Sequence, residues 1–286
     1  MATASGQATP VRGSSLKWIK GTLILLAILV VARFILEVAG VSHDTTRFIS
    51  SSVAMLLAAI YLGAVAPLRG ITKFRQLIVP AVVVSAWTIG WVILFTIISA
   101  VFRLERSHFA EPEDYGNWGH LGMHVLAHLA EIVIVAIIIL LLMTVPFLLR
   151  GWPVTVGPVV ILGALVIMRF WFEAMNVDPL RAAALSSTVG LVPCAFYLGG
   201  VGPKMGLDSL LGPALIIGFA WRLWVYLAVL FSAIPAFHTH FFDPSRGHIA
   251  ARLAGLLGIN IVAGVAASLV VWGIASWISR ATKASG

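Results

Sequence analysis

Apolar segments of about 20 residues recur along the whole chain, and they restrict its fold more than any other feature. A helix needs roughly that length to cross a bilayer, because it rises only about 1.5 Å per residue. Of the 286 residues, only 10% are charged, whereas a soluble domain carries charge on about 25%. The sequence therefore predicts an all-α, polytopic membrane protein that contacts the lipid bilayer. We predict eight spans, at 19–40, 48–68, 77–102, 121–149, 154–176, 184–203, 209–236 and 250–278.

Basic residues lie mostly at the ends of these spans. The net charge is +8, but Lys and Arg do not form the single patch that nucleic acid would require, so no nucleic-acid partner is expected. With the N-terminus inside, the cytoplasmic segments hold ten of the nineteen basic residues, including every lysine, and the opposite face holds six. This bias predicts that both termini are cytoplasmic, and we expect a bacterial inner membrane. Residues 1–16 are polar and are predicted to be a disordered tail.

Three segments of the first half recur, in the same order, in the second half. Arg33-Phe34-x-x-Glu37 matches Arg169-Phe170-x-x-Glu173, and the segment 61–70 matches 197–206, both at an offset of 136 residues. The third match pairs His108-Phe109-Ala-Glu111-Pro112 with His240-Phe241-Phe-Asp243-Pro244. We therefore predict two tandem four-helix repeats, 17–150 and 151–286. Because each repeat has an even number of spans, both enter the membrane in the same orientation.

Five charged residues are predicted to lie within the membrane: Arg33, Glu37, Arg169, Glu173 and Arg222. In each Arg-Phe-x-x-Glu motif the two charges are four residues apart and share a helix face. Charges at such depth are costly unless they pair or face a protein interior. The pairs are interpreted either as neutral ion pairs that hold a span in its bundle or as the lining of a solute path. Arg222 has no acid at that spacing, so structural pairing elsewhere and binding of an anion both stay open.

Histidines and acids gather towards the predicted outer face. In the fourth span, His120, His124, His128 and Glu131 share one side of the helix. Each loop motif also supplies two histidines and one carboxylate: His108, Glu111 and His120 in the first copy, and His240, Asp243 and His248 in the second. Two imidazoles and a carboxylate form a common ligand set for iron, zinc or manganese, so a divalent transition metal is a candidate cofactor. The alternative is that these residues only cap helices and fill turns at a wet interface.

The sequence leaves three functions open. It has no HExxH motif, no phosphate-binding G-x-x-x-x-G-K-[ST] loop and no serine nucleophile elbow. The short loops favour an accessory or structural component, such as one membrane subunit of a larger complex. The intramembrane charges favour a transporter or channel for an ion or small solute, and the outer histidines favour a membrane metalloprotein.

Overall fold

All regular elements of three or more residues in the described part of the chain are helical. The computed structural model describes residues 16–46, 49–177, 182, 185–233, 239, 241 and 248–284. Seven of its helices are long and apolar enough to cross a membrane. A helix satisfies every backbone hydrogen bond within one segment, and hydrocarbon offers no other partner, so apolar spans adopt this structure. The chain is a helical membrane protein, and its contacts divide it into two compact units, Met1–Phe147 and Leu148–Gly286.

The described residues of the first unit form five α-helices: α1 (Lys20–Val38), α2 (His43–Thr46), α3 (Ser51–Val65), α4 (Arg75–Phe102) and α5 (Trp118–Leu148). Helices α1, α3 and α4 pack against one another. Gly40, with φ 95°, ends the turn after α1, and Ser50 caps α3 by accepting a hydrogen bond from the backbone N–H of Val53. As a result, the end of α1, the end of α4 and the start of α5 come together through the loop 103–117.

The described residues of the second unit form four α-helices: α6 (Pro153–Ala174), α7 (Ser187–Val201), α8 (Leu211–Ser232) and α9 (Ile249–Ala284). Helix α9 packs along α8 and α7, and α6 packs on both α7 and α8. The sixth predicted span, 184–203, contains α7, which has only 15 residues. The extended backbone of Ser186 starts this helix late, and a 3-10 turn at Pro203–Met205 follows its end. This apolar helix is therefore too short to count among the seven, whereas α3, also of 15 residues, continues directly into a 3-10 turn at Ala66–Arg69.

Glycines allow helices within each unit to approach closely. A Cβ at Gly63 in α3 would overlap the backbone carbonyl of Met143 in α5. In the second unit, a Cβ at Gly199 in α7 would lie 2.6 Å from the carbonyl oxygen of Ala275 in α9. Small residues at such crossings gain dispersion contacts between backbones, which is a main source of helix association in a bilayer.

Candidate metal centre in the first unit

The buried carboxylate of Glu37 lies at the centre of a polar cluster in the first unit. Glu37 occupies the last turn of α1, and its side chain is completely buried. Arg33, one turn earlier, places its Nε 3.2 Å from Oε1. The hydroxyl of Thr46 donates to Oε1 at 2.7 Å, and the backbone N–H of His108 donates to Oε2 at 3.1 Å. These donors offset the free-energy cost of burying the charge of Glu37, which would be prohibitive for a carboxylate without partners.

Two imidazoles complete this cluster. His108 Nδ1 lies 2.5 Å from Glu37 Oε2, and His43 Nδ1 lies 3.5 Å from Oε1. The two imidazole rings are 5.1 Å apart between centroids. One ligand atom from each of Glu37, His43 and His108 lies within 4.8 Å of the other two. The His43 side chain is 54% exposed, so the cluster is open to solutes on that side. We call these three residues the Glu37 centre.

Aromatic packing positions His108 in this centre. The next residue, Phe109, is buried against Phe34 and Phe95, with ring centroids 5.9 Å and 5.7 Å away. Phe34 stacks on Phe95 at 4.2 Å and lies between Arg33 and Glu37 on α1. Burial of Phe109 therefore holds the loop against the face of α1 that carries the charges. Burial lowers the pKa of His108, and the hydrogen bond to Glu37 offsets this only in part.

A second carboxylate, Asp114, holds two histidines of α5. The Asp114 side chain is completely buried, with Oδ1 2.7 Å from His120 Nδ1 and Oδ2 2.8 Å from His124 Nδ1. The backbone N–H of Glu111 also donates to Oδ2 at 2.8 Å. Burial alone would raise the pKa of Asp114, but these hydrogen bonds outweigh it, and the pKa lies below its ordinary value. Asn117 starts α5 by accepting the backbone N–H of His120, which directs both imidazoles towards the loop.

The third histidine of α5 is held by Glu131. His128 Nδ1 lies 3.0 Å from Glu131 Oε2, and the rings of His124 and His128 stack at 5.0 Å. Of the six histidines in the described part of the chain, five thus have Nδ1 within 3.5 Å of a carboxylate. A carboxylate on one ring nitrogen fixes the tautomer and frees the other nitrogen for a proton or a metal.

The predicted site residues fall into separate groups. His108 contacts Glu37, whereas His120 contacts Asp114, and Glu111 contributes its backbone N–H with its side chain exposed. Sequence reasoning missed His43, Thr46 and Asp114. Their spacing from their partners follows no helical period. The only signals were a His-Asp-Thr-Thr segment after α1 and an acid two residues after Pro112.

The candidates of the second unit are only partly described. Arg169 Nε lies 3.0 Å from Glu173 Oε1, which repeats the Arg33–Glu37 pairing. His248 is exposed and precedes α9. The candidates His240 and Asp243 lie outside the described residues. Arg222 stacks its guanidinium 4.7 Å over the ring of Trp221, and its Nε is buried without a hydrogen-bond partner.

No protein-family model matches this chain, and neither a curated protein nor a solved structure is detectably similar to it.

Proposed function

We propose that this multi-pass membrane protein binds a divalent transition metal ion at Glu37, His43 and His108. The observation that carries the proposal is the convergence of three ligand atoms within 4.8 Å around a fully buried carboxylate. A tetrahedral zinc ion with bonds of about 2.0–2.2 Å requires its donor atoms to be about 3.4 Å apart. The Glu37 centre therefore needs only small side-chain movements to close on a metal ion.

The chemistry of the centre also fits a metal that keeps an open position. Two imidazoles and one carboxylate occupy three positions and leave the fourth for water or a substrate. Arg33 already neutralises Glu37 at 3.2 Å, so a bound dication leaves the centre with excess positive charge. We expect a metal-bound hydroxide or another anion to balance that charge, entering from the exposed side of His43.

The cleanest test is a cobalt titration of full-length protein purified without a His tag. Cobalt reports histidine ligation through its visible absorption. We expect one tight site in the wild-type protein and a loss of affinity of at least about 100-fold in His108→Ala and His43→Ala, since even outer-shell changes cost 10–100-fold. His248→Ala is the matched control, because His248 is exposed and lies in the second unit.

The same titration separates the metal centre from a purely structural or accessory role. If Glu37 and its partners only brace the loop 103–117, the variants lose thermal stability and the wild-type protein shows no cobalt absorption. If the protein binds cobalt equally well in His108→Ala and in wild type, the metal lies elsewhere and the proposal fails.

We also propose that the two units are diverged copies of one four-helix unit. Several internal features support this, all at the offset of 136 residues except the pair Phe109 and Phe241, which are 132 residues apart. Gly70 and Gly206 both have positive φ after equivalent helices, at 78° and 76°. Phe34 contacts Phe95 and Phe109 in the first unit, as Phe170 contacts Phe231 and Phe241 in the second. Gly63 and Gly199 meet the backbone of the last helix of their own unit.

The copies are proposed to share one orientation in a bacterial inner membrane, with both termini in the cytoplasm. The distribution of Lys and Arg between the ends of the spans supports this orientation. Glu37 lies at the C-terminal end of α1, so the metal centre would then open to the outer side of the membrane.

A further inference from the structure

We propose that a cavity between α8 and α9 binds a single-chain lipid with a carboxylic acid headgroup, such as a long-chain fatty acid. The cavity has a volume of about 160 Å³ and lies within the second unit. Its polar lining comes from Arg222 and Tyr226 of α8 and Asn260 of α9, and the rest is apolar. A cavity of about 150 Å³ is large enough to admit benzene. This one can therefore hold a headgroup and the first few carbons of a chain.

Two polar atoms in this cavity lack partners. Arg222 Nε is buried without a hydrogen bond, and so is Asn260 Oδ1. Asn260 is only 5% exposed, and its amide nitrogen already donates to the carbonyl oxygen of Leu256 at 2.7 Å. Tyr226 already donates its hydroxyl to the carbonyl oxygen of Leu253 at 3.2 Å. A buried polar atom without a partner destabilises the fold unless a ligand or water supplies one.

The position of Arg222 makes an anion the partner that matters most. Arg222 is the twelfth of the 22 residues of α8, about 16 Å from the start of the helix. Among the described residues, no carboxylate pairs with Arg222, and its guanidinium stacks on the ring of Trp221. A guanidinium near the middle of a membrane is costly without a counter-ion. A carboxylate offers two oxygens that a guanidinium can bind with two parallel hydrogen bonds.

The second unpartnered atom adds the need for a hydrogen-bond donor, and a carboxylic acid can act as an anion or, when protonated, as a donor. Asn260 Oδ1 is an acceptor and needs a donor, whereas Arg222 is a donor and needs an acceptor. The ionised form of a carboxylic acid supplies the counter-ion for Arg222 and accepts from its Nε–H, and the protonated form can donate its O–H to Asn260 Oδ1. The carbonyl groups of a quinone accept hydrogen bonds, but they carry no negative charge and donate no hydrogen bond. A phospholipid phosphate remains at the membrane interface, about 15 Å from this depth.

The rim of the cavity suits an alkyl chain. Leu223, Leu257 and Ile261 line it and are 43%, 45% and 51% exposed. These side chains form an apolar surface that continues from the cavity along α8 and α9. A long chain bound by its headgroup at Arg222 would cover this surface and remain in an apolar environment.

The test is equilibrium binding of radiolabelled palmitate to full-length protein that is first delipidated and then reconstituted in nanodiscs. We expect one saturable site per chain, at least tenfold weaker in Arg222→Met and weakened also in Asn260→Leu. Arg75→Met is the control, because it removes one exposed positive charge in the other unit and should leave binding unchanged. Methyl palmitate, which has neither the charge nor the O–H, should not compete.

Folding is checked by the melting temperature of each variant with and without palmitate. Methionine at position 222 removes the buried charge and keeps apolar bulk, so we expect the variant to fold. Palmitate should raise the melting temperature of the wild-type protein and not of Arg222→Met. Equal binding by wild type and Arg222→Met, equal competition by methyl palmitate, or stronger competition by a quinol would each overturn the proposal.

Discussion

The carboxylate of Glu37 is the common partner of four side chains in the first unit, those of Arg33, Thr46, His43 and His108. The carboxylate is fully buried, so each of these partners replaces hydration that was lost on folding. Removing the charge leaves the guanidinium of Arg33, only 13% exposed, without its counter-ion. Stability and the proposed metal binding therefore depend on the same side chain.

We expect Glu37→Gln to lower the free energy of unfolding by about 3–5 kcal/mol, as for other broken buried ion pairs. The readout is thermal or denaturant unfolding in a detergent that keeps the wild type folded. Glu131→Gln is the matched control: it removes the same charge from a carboxylate that is 51% exposed, and an exposed pair contributes at most about 1 kcal/mol. Equal effects of the two substitutions would show that Glu37 is not a buried hub.

Asp114 should make stability depend on pH. Its pKa is lowered in the folded state, so its stabilising contribution is complete above the ordinary aspartate pKa, 3.8 here, and is lost as the pH falls through the folded-state value. We expect Asp114→Asn to be less stable than wild type near neutral pH, and this difference to shrink below about pH 4. Melting curves of both proteins from neutral pH to below pH 4 measure this difference in stability, and Glu113→Gln, which changes an exposed acid, is the control. A difference that is constant with pH would contradict this account.

Sequence spacing predicted contacts within a helix and not contacts between segments. The pairs Arg33–Glu37 and Arg169–Glu173 follow from four-residue spacing, and the structure contains both. Glu111 was predicted as the carboxylate ligand of the loop, and no helical spacing was there to favour Asp114 instead. The turn at Pro112–Asp114 leaves the side chain of Glu111 exposed and buries that of Asp114, and only the folded loop reveals this difference.

At the scale of helices, hydropathy predicted the elements because membrane insertion depends on local composition alone. The largest difference between predicted and observed bounds lies where polar residues extend a helix beyond the apolar run. Helix α9 continues to Ala284, six residues beyond the predicted span 250–278. What hydropathy cannot give is which helix faces meet, because lipid and protein interior are equally apolar.

The crossing of α3 and α5 provides a prediction at this scale. Gly63→Ala would place a methyl group against the backbone carbonyl of Met143, so the helices must separate, and overpacking of this kind costs about 1–3 kcal/mol. Gly90→Ala is the control, because nothing lies within 4 Å of a Cβ there and alanine favours a helix by up to about 1 kcal/mol. The melting temperatures of the two variants test this prediction. A Gly63→Ala protein as stable as Gly90→Ala would mean that the close crossing does not form.

For the whole molecule, the even number of spans proposed for each copy requires both termini to lie on one face. Labelling with a membrane-impermeant maleimide tests this in a Cys194→Ala background, since Cys194 is the chain's single cysteine. In intact cells we expect His248→Cys to react and Lys17→Cys and Arg280→Cys to react only after the membrane is opened. All three positions are exposed. Labelling of positions 17 and 280 from opposite sides would refute the arrangement of two parallel copies.

X-ray absorption of the zinc-loaded protein, with one equivalent of metal, tests the proposed function most directly. We predict a first shell at about 2.0–2.1 Å that contains two imidazole nitrogens and carboxylate oxygen. His108→Ala should remove the scattering of one imidazole, and His248→Ala should leave the spectrum unchanged. A shell of oxygen atoms alone, or a spectrum unaffected by His108→Ala, would contradict a metal centre at Glu37, His43 and His108.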